Sequence, residues 1–133
     1  MKVRWTEGSV RFRITPTELE QLRSGAAVRV TLRVPGGKWE ATVAPSASDG
    51  ASDLSADGEG GLRMTLGRPD LDRLCAPETE GVYFGTSEGE IPLRFFIEKD
   101  FPCVHPRPSE AQEESETFAP PSGFKDRHRP VCE

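Results

Sequence analysis

The sequence predicts an α+β fold, mainly antiparallel β: two β-β-α-β-β units about a pseudo-twofold axis, closing as a small barrel or sandwich, with an extended C-terminal tail. Three observations carry this. Apolar and charged residues alternate through most of residues 1–99, which is the period of half-buried strands. Two short segments replace that alternation with leucines three apart, Leu19 with Leu22 and Leu71 with Leu74, the spacing of one helix face. Shifted by 52 positions, residues 62–74 (LRMTLGRPDLDRL) lie on residues 10–22 (VRFRITPTELEQL) without a gap, strand on strand and helix on helix.

In chain order, Val3 and Trp5 share one face against Lys2 and Arg4, and Glu7-Gly8-Ser9 turns the chain. Val10, Phe12 and Ile14 continue the alternation against Arg11 and Arg13, so the opening reads as a β-hairpin. At Thr15 the period switches. Thr15 can accept a bond from the backbone near Glu18, Pro16 suits the first helical position, and Glu18 completes a capping box. That helix stops near Gly25. Val28, Val30, Leu32 and Val34 mark a third strand. Pro35-Gly36-Gly37 turns, and Trp39, Ala41 and Val43 face inward on a fourth.

After the small polar run SASDGASD the pattern starts again, with Val82 and Phe84 falling beside Val28 and Val30, and Leu93, Phe95 and Ile97 beside Trp39, Ala41 and Val43. Residues 1–99 are therefore expected to form one domain with halves 1–45 and 53–99. Residues 100–133 follow as an irregular acidic, proline-rich tail packed on it, with Phe101, Phe118 and Phe124 as its apolar anchors.

Length and composition fit one core: 133 residues bury well over half of the unfolded chain's surface. No stretch approaches the roughly 20 apolar residues of a spanning helix, and the start has no signal-peptide run. Three cysteines are few for a disulfide framework. These features predict a soluble cytoplasmic protein with no membrane partner.

The net charge of −5 is unevenly placed: +4 over residues 1–45, −6 over 46–99 and −3 over 100–133. Arg4, Arg11, Arg13, Arg29 and Arg33 all take the outward parity of first-half strands. No aromatics are interleaved with them, as a stacking platform would require, which speaks against nucleic acid. A solvated or tail-covered face is expected instead, with Glu113, Glu114 and Glu116 as counter-charges and a protein as the partner to look for.

The residues SVRFRITPTELEQL at the front, FIEKDFPC at 96–103 and EESETFAPP at 113–121 together resemble a family of small bacterial proteins of unknown function. Its members share an S-x-R-x-R-[LI]-T start, an E-K-D-F-x-C segment and an acidic stretch ending in F-x-N-P. This chain has Ala119-Pro120-Pro121 where the family tends to have Pro-Asn-Pro. The resemblance spans the chain and implies no activity.

Candidate chemistry gathers in the tail. Cys103-x-His105 and His128-x-x-x-Cys132 supply two thiols and two imidazoles, a sufficient ligand set for tetrahedral zinc. The same residues fit two other readings. A Cys103 to Cys132 disulfide would close a loop of about 30 residues and pin the tail. A Cys103 nucleophile with His105 as its base would make a cysteine-dependent enzyme or redox protein, although no oxyanion hole or orienting group is visible. Cys75, beside Leu71 and Leu74, reads as a small buried hydrophobe. The function expected from all this is a small binding or accessory protein.

Overall fold

The computed structural model describes residues 1–47, 50–58, 60–86, 92–101 and 118–122. Strands β1 (Lys2–Thr6) and β2 (Ser9–Ile14) form a hairpin, followed by helix α1 (Pro16–Arg23) and a second hairpin of β3 (Val28–Val34) and β4 (Gly37–Pro45). Strands β5 (Asp53–Asp57) and β6 (Gly61–Leu66) come next, then helix α2 (Arg68–Cys75) and strands β7 (Gly81–Thr86) and β8 (Leu93–Lys99). The elements thus follow the expected order.

The strands do not close into one barrel. They form two four-stranded sheets: sheet A in the order β1-β2-β8-β7, and sheet B in the order β3-β4-β6-β5. Nor are all pairings antiparallel. The four pairings made by strands adjacent in sequence are antiparallel, whereas the two that join one half of the chain to the other, β2 with β8 and β4 with β6, are parallel. A short loop returns a strand antiparallel to its neighbour by local geometry alone. How two distant hairpins meet has no such local cause.

In each sheet the second strand of either hairpin takes a central place, and these four strands carry the apolar inner rows. Val10, Phe12 and Ile14 of β2 and Phe95 and Ile97 of β8 are buried in sheet A, as are Ala41 and Val43 of β4 and Met64 and Leu66 of β6 in sheet B. Leu19, Leu22, Leu71 and Leu74 of the helices join them in a single core cluster, as their spacing predicts. Toward the strand ends the inner parity runs out of cover. Trp5, opposite Val10, is 68% exposed, and Leu32 and Val34 are 59% and 48% exposed.

Helix α1 begins as its sequence dictates. The Glu18 backbone N–H donates to Thr15 Oγ1 at 3.3 Å, and the Thr15 N–H donates to Glu18 Oε1 at 3.0 Å, which closes the capping box. It ends on Gly25 at φ +95°, with Gly25 N–H bonded to the Leu22 carbonyl and Ala26 N–H to that of Gln21; together these form a Schellman motif. Helix α2 has glycine at its N-cap and no side-chain cap bond; Ser52, from the strand connection, instead ties the N–H of that glycine to the first turn. Ser52 Oγ accepts the Gly67 N–H at 2.8 Å and donates to Asp70 at 2.6 Å. Thr15→Ala and Ser52→Ala are each expected to lower stability by about 1 kcal/mol in urea unfolding.

Candidate functional site

The outer face of sheet A is built by strand register. In a sheet, residues paired across strands share a face. The pairs Arg4 with Arg11, Arg11 with Phe96, and Phe96 with Tyr83 set one row across all four strands. Beside it run Lys2, Arg13, Glu98 and Gly81 on one side, and Thr6, Ser9, Arg94 and Gly85 on the other.

The rings of Tyr83 and Phe96 lie 5.4 Å apart in a tilted pair, and the Arg11 guanidinium stands 5.9 Å from the Phe96 centroid, within cation–π reach. Arg11 also pairs with Glu98 at 3.2 Å. Tyr83 is 55% exposed. Its phenol is held protonated above the usual tyrosine range, first by partial burial and then by Glu98 and Glu80 nearby.

This arrangement corrects the sequence reading twice. The five first-half arginines do not share a face: Arg4, Arg11 and Arg13 lie on sheet A, while Arg29 and Arg33 lie on sheet B, where Arg29 pairs with Glu40 at 3.1 Å. Aromatics are interleaved after all, because the parallel pairing of β2 with β8 lays Phe96 and Tyr83 beside the arginines. Alternating with Val82, Phe84, Leu93, Phe95 and Ile97, the residues Tyr83, Arg94 and Phe96 take the outward parity of their strands. Only the pairing of the halves shows which cations they join.

A second cluster marks the end of β8, within the segment Glu98-Lys99-Asp100-Phe101. Continuing the inner parity of Phe95 and Ile97, Lys99 is buried, and its Nζ donates to the Ala76 carbonyl at the C-cap of α2, 2.7 Å away. Helix α1 ends on glycine, whereas α2 ends on this lysine. Asp100 is also buried. Its N–H donates to the Ile14 carbonyl, its carbonyl accepts the Phe118 N–H at 2.9 Å, and its carboxylate meets Lys2 Nζ at 3.2 Å. Phe118 closes the cluster, with its ring 5.6 Å from Lys99 Nζ and 6.1 Å from the Phe101 ring.

Burial holds the Lys99 ammonium below its ordinary value of 10.5, partly opposed by the negative charge that Cys75 carries when ionised. The unfolded chain keeps that proton at pH values where the folded chain begins to release it, so the contribution of Lys99 to stability rises with pH through this window and levels off above 10.5, while Cys75 and Tyr83, both held protonated above their ordinary values, contribute in the opposite direction. The difference in unfolding stability between wild type and Lys99→Met should therefore move in favour of wild type as the pH rises from about 8 to 11.

Cys75 is half-buried at the end of α2, and its thiol is pushed up first by burial, against the opposing charge of Arg23. It is a poor nucleophile at neutral pH. Between β5 and the β7–β8 hairpin lies an open cleft of about 740 Å³, whose floor includes Phe84 and Phe95, stacked at 4.9 Å. Among the described residues there is no group of three or more His, Cys, Asp or Glu side chains that could hold a metal ion, and no helix long and apolar enough to cross a membrane. The four ligand candidates Cys103, His105, His128 and Cys132 lie outside the described residues, as do Glu113, Glu114, Glu116 and Phe124.

No curated protein and no solved structure matches the chain. The model of a family of unknown function, DUF7009, matches residues 1–122, and the chain belongs to that family.

Proposed function

We propose that the protein is a small binding or accessory module whose working surface is the outer face of sheet A, and that it takes an anionic partner there. One observation supports this reading above the others: the register that sets Lys2, Arg4, Arg11, Arg13 and Arg94 on a single solvent-facing sheet. Among the described residues, Glu98 stands against these five cations on the same face, with Glu80 near Tyr83 and Asp100 at the margin beside Lys2. Five against three leaves +2 among the described residues of this face, in a chain whose net charge is −5. Such segregation raises the local concentration of anions at the face. Full-length protein should be retained by a heparin column at low salt, and Arg13→Glu with Arg94→Glu together should abolish retention. Unchanged retention of the double variant would place the anion site elsewhere.

The domain belonging to this reading comprises residues 1–99, two β-β-α-β-β halves related by a pseudo-twofold, with the tail 100–133 packed on it. The topology supports the duplication: exchanging β1 with β5, β2 with β6, β3 with β7 and β4 with β8 turns the order of one sheet into that of the other. Details follow the same exchange. Met1 precedes β1 and meets Glu18 in the first turn of α1, and Ser52 precedes β5 and meets Asp70 in the first turn of α2.

For the tail, zinc held by Cys103, His105, His128 and Cys132 remains the reading to test, with His128 and Cys132 beyond the span of the family match. Support comes from the return of the chain at Phe118 to Asp100, which ties both flanks of the segment bearing Cys103 and His105 to the body. Purified protein should carry about one equivalent of zinc, lost to a chelator and on Cys103→Ser or Cys132→Ser. Metal-free protein with a Cys103 to Cys132 disulfide would establish the pinned-tail reading instead. A Cys103 that reacts unusually fast with a thiol probe at neutral pH would favour the enzyme.

A further inference from the structure

Resting on the anionic-partner reading above, we propose that the partner of sheet A is a single-stranded nucleic acid, bound by its phosphates to the arginines and by base stacking on Tyr83 and Phe96. Charge alone would suit any polyanion. What narrows the choice is the row that carries both chemistries at once, Arg4, Arg11, Phe96 and Tyr83 side by side across four strands. A stacking surface beside a basic track is what an unpaired strand needs, because its bases expose flat faces that a duplex hides.

The details of the row fit this occupant. Tyr83 lies on the edge strand β7 with glycine two positions away on either side of the same face, Gly81 and Gly85. At Gly85 an added Cβ would meet, among the described residues, nothing nearer than the Leu93 carbonyl at 4.0 Å, and Tyr83 itself is exposed. Phe96 is fixed between Tyr83 and the Arg11 guanidinium, which orders the inner part of the platform before a ligand arrives. Arg13 and Arg94 flank the row on either side, and neither forms an ion pair among the described residues. A phosphate chain crossing the strands would therefore meet cations on both sides of the stacked bases. Nothing on sheet B's outer face repeats this. Arg29 and Lys38 both reach Glu40 there, and no aromatic side chain lies on that parity.

Fluorescence anisotropy of a labelled thymidine 12-mer with the full-length protein tests the inference, starting at about 50 mM salt. Tyr83→Ala is expected to weaken binding on the order of tenfold with the salt dependence unchanged, and Tyr83→Phe to restore it, since stacking needs the ring and not the hydroxyl. Arg94→Gln should lower the slope of log affinity against log salt by about one. Arg63→Gln, on the other sheet, should change nothing. A duplex of the same sequence should bind more weakly than the single strand.

Equal binding of duplex, heparin and single strand, or indifference to Tyr83→Ala, would overturn the nucleic-acid inference and leave the anionic-face reading standing. Failure to bind any of the three polyanions would overturn both. Binding that emerges only in Glu113→Gln, Glu114→Gln, Glu116→Gln protein would assign the face to the chain's own tail, and the inference would fall.

Discussion

Leu22→Ala and Leu74→Ala are each expected to destabilise the protein by about 3 kcal/mol, the cost of a leucine-sized deletion in a close-packed core that collapses only partly around the void. Both leucines are fully buried, each near the end of its helix, and both belong to the same cluster. Their surroundings correspond element by element, since α1 follows the β1–β2 hairpin as α2 follows β5–β6. Equivalent surroundings should give equal losses, and that equality tests the proposed duplication. Denaturant unfolding followed by the fluorescence of Trp5 and Trp39 would measure both. A large loss at one leucine with almost none at the other would show that only one helix is integral to the core. Leu19→Ala and Leu71→Ala, at 8% and 6% exposure, form a second matched pair at the same layer boundary.

What the sequence revealed was whatever has a local physical cause. Alternation located the strands because the side-chain period of a strand is two, and the capping box at Thr15 located the start of α1 because its partners are three residues apart. The matching order of hairpin, helix and hairpin in the two halves was legible for the same reason. The parallel joins of β2 with β8 and β4 with β6 were not, since the partners are 85 and 21 residues apart and no turn connects them directly. Everything that depends on those joins was hidden with them. Arg11 beside Phe96 is the clearest case, because each residue alone reads as an ordinary outward-facing side chain. Lys99 was hidden for another reason. Its charge argued for solvent, yet strand parity aims it inward, and only the free carbonyl at the end of α2 accounts for a buried ammonium there.

Truncation after Pro108 is expected to lower stability by about 2 kcal/mol, through the loss of Phe118 from its seat on the body. Phe118 is only half-buried, so its apolar area alone accounts for less than a fully buried phenylalanine would. The rest comes from what it covers. Its N–H satisfies the carbonyl of buried Asp100, its ring packs edge-on against Phe101, and its face lies over the Lys99 ammonium. Removing it lets water reach Lys99, which relaxes the lysine toward its ordinary value and shrinks the pH window over which its contribution to stability climbs. Two readouts should therefore move together, a lower melting temperature and a smaller alkaline gain of Lys99 protein over its Lys99→Met variant. Phe118→Ala in the full chain should reproduce both, and that separates the ring from the remainder of the tail. A melting curve unchanged by truncation would mean that the return of the chain at Phe118 adds nothing to the fold. A lower melting temperature with that Lys99-dependent alkaline gain intact would locate the tail's contribution beyond Phe118.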